Sequence, residues 1–175
     1  IVDGADNPNF EIKNDVLISY KGSAENVFVS VASKIGFGAF KGNETLKSVE
    51  LSSGVDRIFS SAFADCANLE KIIIPKNVSS IGDGAFTGCS SLKSVVLPEK
   101  IDSLSYFFIG CENLREIVFG ENIEMISKQA FAVCSSLQNF DLPASLTEIG
   151  TEAFSTCSAI TTLAIPSKVA SIGEA

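Results

Sequence analysis

The sequence predicts a right-handed α/β solenoid, with one short parallel β-strand per repeat on its concave face and short helical or 3₁₀ turns on its convex face. Phenylalanine recurs every 22 or 23 residues, and in five of six repeats a cysteine follows it three residues later. Each repeat also carries one pair of alternating apolar residues. A fixed period of this length is the signature of stacked repeats. The recurring residues are Phe40, Phe63, Phe86, Phe108, Phe131 and Phe154, with Cys66, Cys89, Cys111, Cys134 and Cys157.

Each predicted strand is short and buries one of its two faces. Two apolar residues separated by a single residue are typical of a strand that buries alternate side chains. Proline directly follows four of these pairs, where a residue without an N–H can end a ladder. Gly120 takes that place in the fourth repeat. The pairs are Val49/Leu51, Ile72/Ile74, Val95/Leu97, Ile117/Phe119, Phe140/Leu142 and Leu163/Ile165.

The opposite edge of each repeat is predicted to be a single helical or 3₁₀ turn. Segments between the recurring isoleucine and the cysteine, such as residues 60–66, lack the alternation of a strand. The fourth repeat is one residue short between Leu104 and Phe108, so we expect the convex side to be pinched there.

Residues 1–31 depart from the repeat. Asn14-Asp15 separates the runs 10–13 and 16–20, which predicts a hairpin with a two-residue turn. We assign residues 1–175 to a single domain, with an atypical segment at 1–31 and about six regular repeats over 32–175. The period places the next phenylalanine at position 177, so we expect a truncated last repeat and a chain cut from a longer protein.

The repeat resembles the leucine-rich repeat, and specifically its BspA-like bacterial variety, over roughly residues 32–175. The resemblance implies a leucine-rich-repeat solenoid and an adhesion role in an exported or cell-surface protein. BspA-like chains often carry an insert between repeats, and residues 7–17 are similar to it, so Ile1-Val2 would be the tail of a preceding strand. The pattern that carries the resemblance reads Ile81-Gly82-x-x-Ala85-Phe86-x-x-Cys89-x-x-Leu92-x-x-Val95-x-Leu97-Pro98.

Composition argues against several classes of function. The net charge of -8 disfavours nucleic acid and anionic membrane surfaces as partners, because both attract clustered Lys and Arg. No apolar run approaches the roughly 20 residues of a membrane span, so we expect no membrane insertion. Histidine is absent, which removes the usual general base and metal ligand. The glycine-rich segment 36–42 lacks the context of a phosphate-binding loop. We therefore predict no enzyme, no cofactor and no metal site.

The five cysteines are predicted to be buried free thiols. Equivalent residues of adjacent repeats lie about 5 Å apart with parallel side-chain directions, whereas a disulfide requires converging directions. In such a stack the thiols act as small apolar groups.

The outward strand positions are the candidate binding residues. The residue between the two members of each apolar pair points outward, and the equivalent residues of successive repeats form a column. In three successive repeats this residue is apolar, and Glu50 and Asp141 occupy the positions on either side of the three. The neighbouring column is polar. An apolar strip with a polar border is the usual anatomy of a protein interface, although β-branched residues are also simply good strand formers. The candidate partner-binding residues are Ile73, Val96, Val118, Lys71, Glu116 and Asp141.

Three functions are compatible with these observations. The first is a binding module of an exported or cell-surface bacterial protein, which recognises a protein of a host, an extracellular matrix or another cell. The second is a structural spacer or stalk. The third is a set of repeats that orient the substrate of a catalytic domain elsewhere in the protein.

Overall fold

The computed structural model describes residues 2–3 and 7–174, which form a β-solenoid of stacked turns with parallel strands. Repeated short strands build three sheets. In each sheet the strands pair in the order in which they occur along the chain. The first sheet consists of β1 (Val2–Asp3), β4 (Asn26–Val29), β6 (Ser48–Leu51), β8 (Lys71–Ile73), β10 (Ser94–Val96) and β12 (Glu116–Val118). The second consists of β2 (Phe10–Lys13), β3 (Val16–Tyr20), β5 (Lys34–Ile35), β7 (Arg57–Ile58) and β9 (Ser80–Ile81). The third consists of β11 (Ser103–Leu104), β13 (Met125–Ile126), β14 (Glu148–Ile149) and β15 (Ser171–Ile172).

The N-terminal segment forms the predicted hairpin and joins it to the solenoid. Strands β2 and β3 pair antiparallel, and the two turn residues Asn14 and Asp15 have φ of 50° and 64°. Positive φ at both positions is the conformation of the tight hairpin turn that matches strand twist. Strand β3 then pairs parallel with β5, while β1 pairs parallel with β4. Along the chain the hairpin therefore lies between β1 and β4, two neighbouring strands of the first sheet, as the resemblance implied.

The edge opposite the first sheet is built of turns, and the described residues contain no helix there or elsewhere. The prediction of helical or 3₁₀ turns is therefore not confirmed. In the second regular repeat Ser61 and Asp65 have φ of 56° and 60°. The amide of Ala64 donates within the turn to Ser61 O, whereas the amide of Phe63 donates to Ala85 O of the next repeat at 2.8 Å. Two residues in the left-handed backbone conformation, four positions apart, thus point alternate amides toward the neighbouring repeat. A continuous helix would not allow this, because its amides bond within the helix.

The prediction of a first-sheet strand in every repeat is wrong for the last two repeats. The segments around Phe140 and Leu163 form no strand, and the first sheet ends at β12. Between these two segments the Asn139 side chain accepts hydrogen bonds from the amides of Thr161 and Thr162, at 2.9 and 3.2 Å. A side chain therefore replaces part of the backbone ladder.

The core is one continuous cluster built on a stack of aromatic rings. From Phe40 to Phe154 successive rings lie 4.9–5.5 Å apart and within 14° of parallel. Tyr20 and Phe10 extend the stack at 5.3 and 4.8 Å. The stack joins the N-terminal hairpin to the regular repeats in one core.

The short fourth repeat lies where the second sheet ends and the third sheet begins. Strands β9 and β11 belong to separate sheets, and in this repeat Phe107 stands where Ala85 and Ala130 stand in its neighbours. The Phe107 side chain is 1% exposed and meets Phe108 edge-on at 6.1 Å. A large side chain thus fills the space next to the missing residue, at the position where we expected a pinch.

Candidate functional site

The outward column of the first sheet places its apolar residues side by side. Strand pairing sets Glu50 beside Ile73 and Val96 beside Val118, and the register of Ser94 with Lys71 brings Val96 next to Ile73. The inward residues between them are buried. Ile73, Val96 and Val118, which we call the outer stripe, are 42%, 62% and 56% exposed.

Two of the predicted polar residues adjoin the outer stripe. Lys71 and Glu116 belong to the neighbouring outward column, with Ser94 between them in register. That spacing places them two strands apart, or about 10 Å. Asp141 is exposed, but it lies on the irregular segment beyond β12. The structure therefore gathers five of the six predicted residues on one sheet, whereas Asp141 lies outside the sheet and faces Glu116 and Val118 across a cleft.

Sequence reasoning missed one aromatic member of the outward column. Phe28 on β4 pairs in register with Glu50 and is half-buried. The signal was present, because Val27-Phe28-Val29 has the same alternation as Val49-Glu50-Leu51, 22 residues later. A shallow depression of about 140 Å³ lies at this end of the column, lined in part by Glu50, Lys71 and Ile73.

A line of alternating charges borders the same face, just before the strands. Lys47 pairs with Glu25 at 2.8 Å, and Lys93 pairs with Glu70. The hydrogen bond from Lys93 lowers the pKa of the Glu70 carboxyl, and that with Glu25 raises the pKa of Lys47. Exposed pairs of this kind contribute little to stability, so the line chiefly gives the face a fixed charge pattern.

The thiols lie in the interior and have no part in the exposed face. All five cysteines are free and buried, which confirms the prediction of unpaired thiols. Cys66 Sγ donates to Phe40 O of the preceding repeat at 3.0 Å, and the other four make the same bond at 3.1–3.2 Å. Burial raises the pKa of Cys66 to about 11. These thiols are therefore protonated at neutral pH and poor nucleophiles.

The described residues offer few groups for other chemistry. Within residues 7–174 no cluster of three His, Cys, Asp or Glu side chains could hold a metal ion. In the same part of the chain no helix is long and apolar enough to cross a membrane.

A chain of parallel-stranded turns with this repeat belongs to the leucine-rich-repeat class of solenoids. The model of the BspA type leucine rich repeat region matches residues 19–108 and 104–175, with six copies. The chain is a member of that family. No curated protein matches the sequence.

Three solved bacterial structures are similar to this chain. A leucine-rich repeat protein from Eubacterium ventriosum is 29% identical with a TM-score of 0.83, over 90% of this chain and 44% of that one. The T. pallidum leucine rich repeat protein is 25% identical with a TM-score of 0.83, over 94% of this chain and 82% of that one. A leucine rich cell surface protein from Faecalibacterium prausnitzii is 26% identical with a TM-score of 0.64, over 88% of this chain and 52% of that one. The chain thus spans about half the length or less of two of these proteins.

Proposed function

We propose that this chain is a non-catalytic protein-binding module of an exported or cell-surface bacterial protein, with an adhesion role. Its partner is a protein of a host, an extracellular matrix or another cell, and it binds the face of the first sheet that carries the outer stripe. The exposure of Val96, flanked on both sides by apolar neighbours in register, is the observation that carries the proposal. A contiguous apolar strip with a polar rim is what a protein interface presents.

Two further observations support this proposal. Residues of mixed charge, Lys71 and Glu116, border the stripe and would fix the orientation of a partner. The similar Faecalibacterium prausnitzii protein is described as a cell surface protein, which favours display outside the cell. A spacer or stalk would have no need for three adjacent exposed apolar rungs, so we place that role second. Repeats that orient the substrate of a catalytic domain come third.

The proposal is tested by a panel of immobilised extracellular-matrix proteins and the variant Val96→Asp. We expect the chain to bind at least one of them, and the substitution to weaken that binding by about tenfold or more, because it places a charge in an apolar contact. Met125→Asp is the matched control, since Met125 is a 37% exposed strand residue of the third sheet. Equal loss in both variants, or no loss in Val96→Asp, would contradict the assigned face.

A further inference from the structure

Repeats four and five separate beyond β12 and leave a cleft between them. At one end the amide of Gln138 donates to Arg115 O at 3.3 Å, and at the other Ser145 Oγ donates to Ile123 O at 2.6 Å. No backbone hydrogen bond joins residues 116–121 to residues 139–144 in the described structure. The cleft has a volume of about 1240 Å³.

Two phenylalanines account for the separation. The inward strand positions carry Val, Ile or Leu in the earlier repeats, but Phe119 and Phe140 occupy them here on facing turns. Their ring centroids are 5.6 Å apart, and each also packs against the central aromatic stack. The two rings are tilted by 45° to each other, unlike the near-parallel rings of the central stack, and a tilted pair requires more width than the roughly 4.8 Å between adjacent strands. The cleft is thus a consequence of specific side chains.

The cleft exposes one edge of a β-strand. Toward β10, the amide of Glu116 donates to Lys93 O and Val118 O accepts from the amide of Leu97. Since backbone groups alternate in direction along a strand, the N–H and C=O of Ile117 point the other way, into the cleft. Unpaired strand groups of this kind are a template for another extended chain.

A cationic side chain lies at one end of the cleft. Arg115 lies at one end and takes part in none of the ion pairs of the described residues, unlike Lys93 in the repeat before it. Lys168 lines the cleft at another point, and the carboxylates of Glu116, Glu121 and Asp141 line other parts of it. An acidic group on an incoming segment would therefore find a free guanidinium at the Arg115 end.

We propose that this cleft binds an extended peptide segment of a partner protein, which adds to β12 as a strand and places an acidic group near Arg115. Six residues, or about 20 Å of extended chain, fit between the two closing hydrogen bonds. Main-chain amides and carbonyls match the exposed edge in a way that no compact ligand does. The cleft adjoins the outer stripe at Val118, whereas Ile73 and Val96 do not line it, so Val96→Asp tests binding at the stripe and Arg115→Glu tests binding in the cleft.

The first test is amide hydrogen exchange on the chain alone. Ile117 and Asp141 carry the amides that would pair across a closed ladder, and Val49 and Ile73 are their counterparts in the paired strands β6 and β8. We expect the first two to exchange at least about tenfold faster, because they lack a partner. Equal protection of both pairs means that the cleft is closed in solution and overturns the proposal.

The second test uses a phage-displayed library of random dodecapeptides. We expect it to yield peptides that share one acidic residue at a fixed position and bind micromolar or tighter. These peptides should slow the exchange of the Ile117 and Asp141 amides and lose binding when alternate backbone amides are N-methylated. Arg115→Glu should weaken them about tenfold, while Lys41→Glu, an exposed site elsewhere, should not. The proposal fails if no such peptide is recovered, if N-methylation has no effect, or if the protected amides lie elsewhere. Self-association that protects the same amides would assign the cleft to a second copy instead, and would also overturn it.

A third variant closes the cleft. Phe119→Leu with Phe140→Val restores the residues of the equivalent positions Leu97 and Val95. We expect slower exchange at Asp141 and loss of peptide binding, with binding through the outer stripe unchanged. Peptide binding that survives in this folded variant contradicts the proposed site.

Discussion

At the residue scale, the repeat columns determine which side chains are buried. Phe86 and Cys89 are both fully buried, as their recurrence predicted. The period could not predict that each thiol donates to a carbonyl of the preceding repeat, because that contact depends on how closely two turns approach. A thiol is small and a weak donor, which suits a buried position beside a backbone oxygen.

The buried thiols should make the protein sensitive to alkali. Desolvation raises the pKa of Cys66 and Cys157 to about 11 and that of Cys111 well above its usual range. An unfolded thiol ionises near pH 8.5, so the free energy of unfolding is intact below that pH and falls above it, by up to about 1.4 kcal/mol per pH unit per thiol.

Urea denaturation in reductant between pH 7 and pH 10 measures this fall. We expect Cys111→Val to have a shallower decline than the parent chain by up to about 1.4 kcal/mol per pH unit. Lysine and tyrosine ionisation is common to both proteins and cancels in the comparison. Parallel declines would mean that the Cys111 thiolate is tolerated in the folded state.

The recurring glycine reports how closely successive turns approach. A Cβ on Gly82 would lie 2.4 Å from the backbone nitrogen of Ser60, and one on Gly150 2.5 Å from that of Lys128. Gly82→Ala should therefore lower the free energy of unfolding by about 1–3 kcal/mol through overpacking. Gly54→Ala is the control, since its nearest neighbour is a side-chain atom 3.5 Å away. Equal stability of the two variants in urea denaturation would show that the turns can move apart at little cost.

At the element scale, strands defined by local sequence were predictable and those defined by packing were not. Asn14-Asp15 specifies the hairpin turn by itself, and alternation specified β6, β8, β10 and β12. Strand β4 was missed because the spacing of aromatic residues shortens before Phe40, which obscures the period. The prediction of helical turns was not confirmed, because alternate amides of each turn donate to the next repeat. The sequence of a single repeat does not reveal this partner. Phe140 shows the converse, since alternation was present but no strand formed there.

The fourth repeat offers a test of how a shortened element is accommodated. Phe107→Ala should cost about 3–5 kcal/mol, since it empties the space beside the missing residue. Insertion of one glycine after Leu104 in that background should recover part of the loss, because it restores the length and the alanine of the other repeats. Urea denaturation measures both. A neutral Phe107→Ala, or an insertion that destabilises further, would mean that Phe107 does not compensate for the shortened repeat.

At the scale of the whole molecule, the two breaks in the sheets lie at different interfaces. The second and third sheets are separated between repeats three and four, where β9 and β11 do not pair. The first sheet ends between repeats four and five. At each interface the other features continue. Phe86 N donates to Phe107 O across the first break at 3.1 Å, and Phe108 N donates to Ala130 O across the second at 2.9 Å.

This staggering predicts that the stack unfolds as one unit despite its two breaks. Nearest-neighbour coupling holds a solenoid together. Across both breaks, the described residues keep the hydrogen bonds between successive turns and the contacts between stacked rings. The amides of Phe63 and Phe131 lie on opposite sides of both breaks and are each bonded to the next repeat. We expect their free energies of opening, measured by native-state hydrogen exchange in low urea, to converge on the value from the far-UV circular dichroism transition. If Phe131 opens at a free energy lower than that of Phe63 by more than about 1 kcal/mol, the C-terminal repeats form a separate cooperative unit. The break beyond β12 would then be a true boundary in the fold.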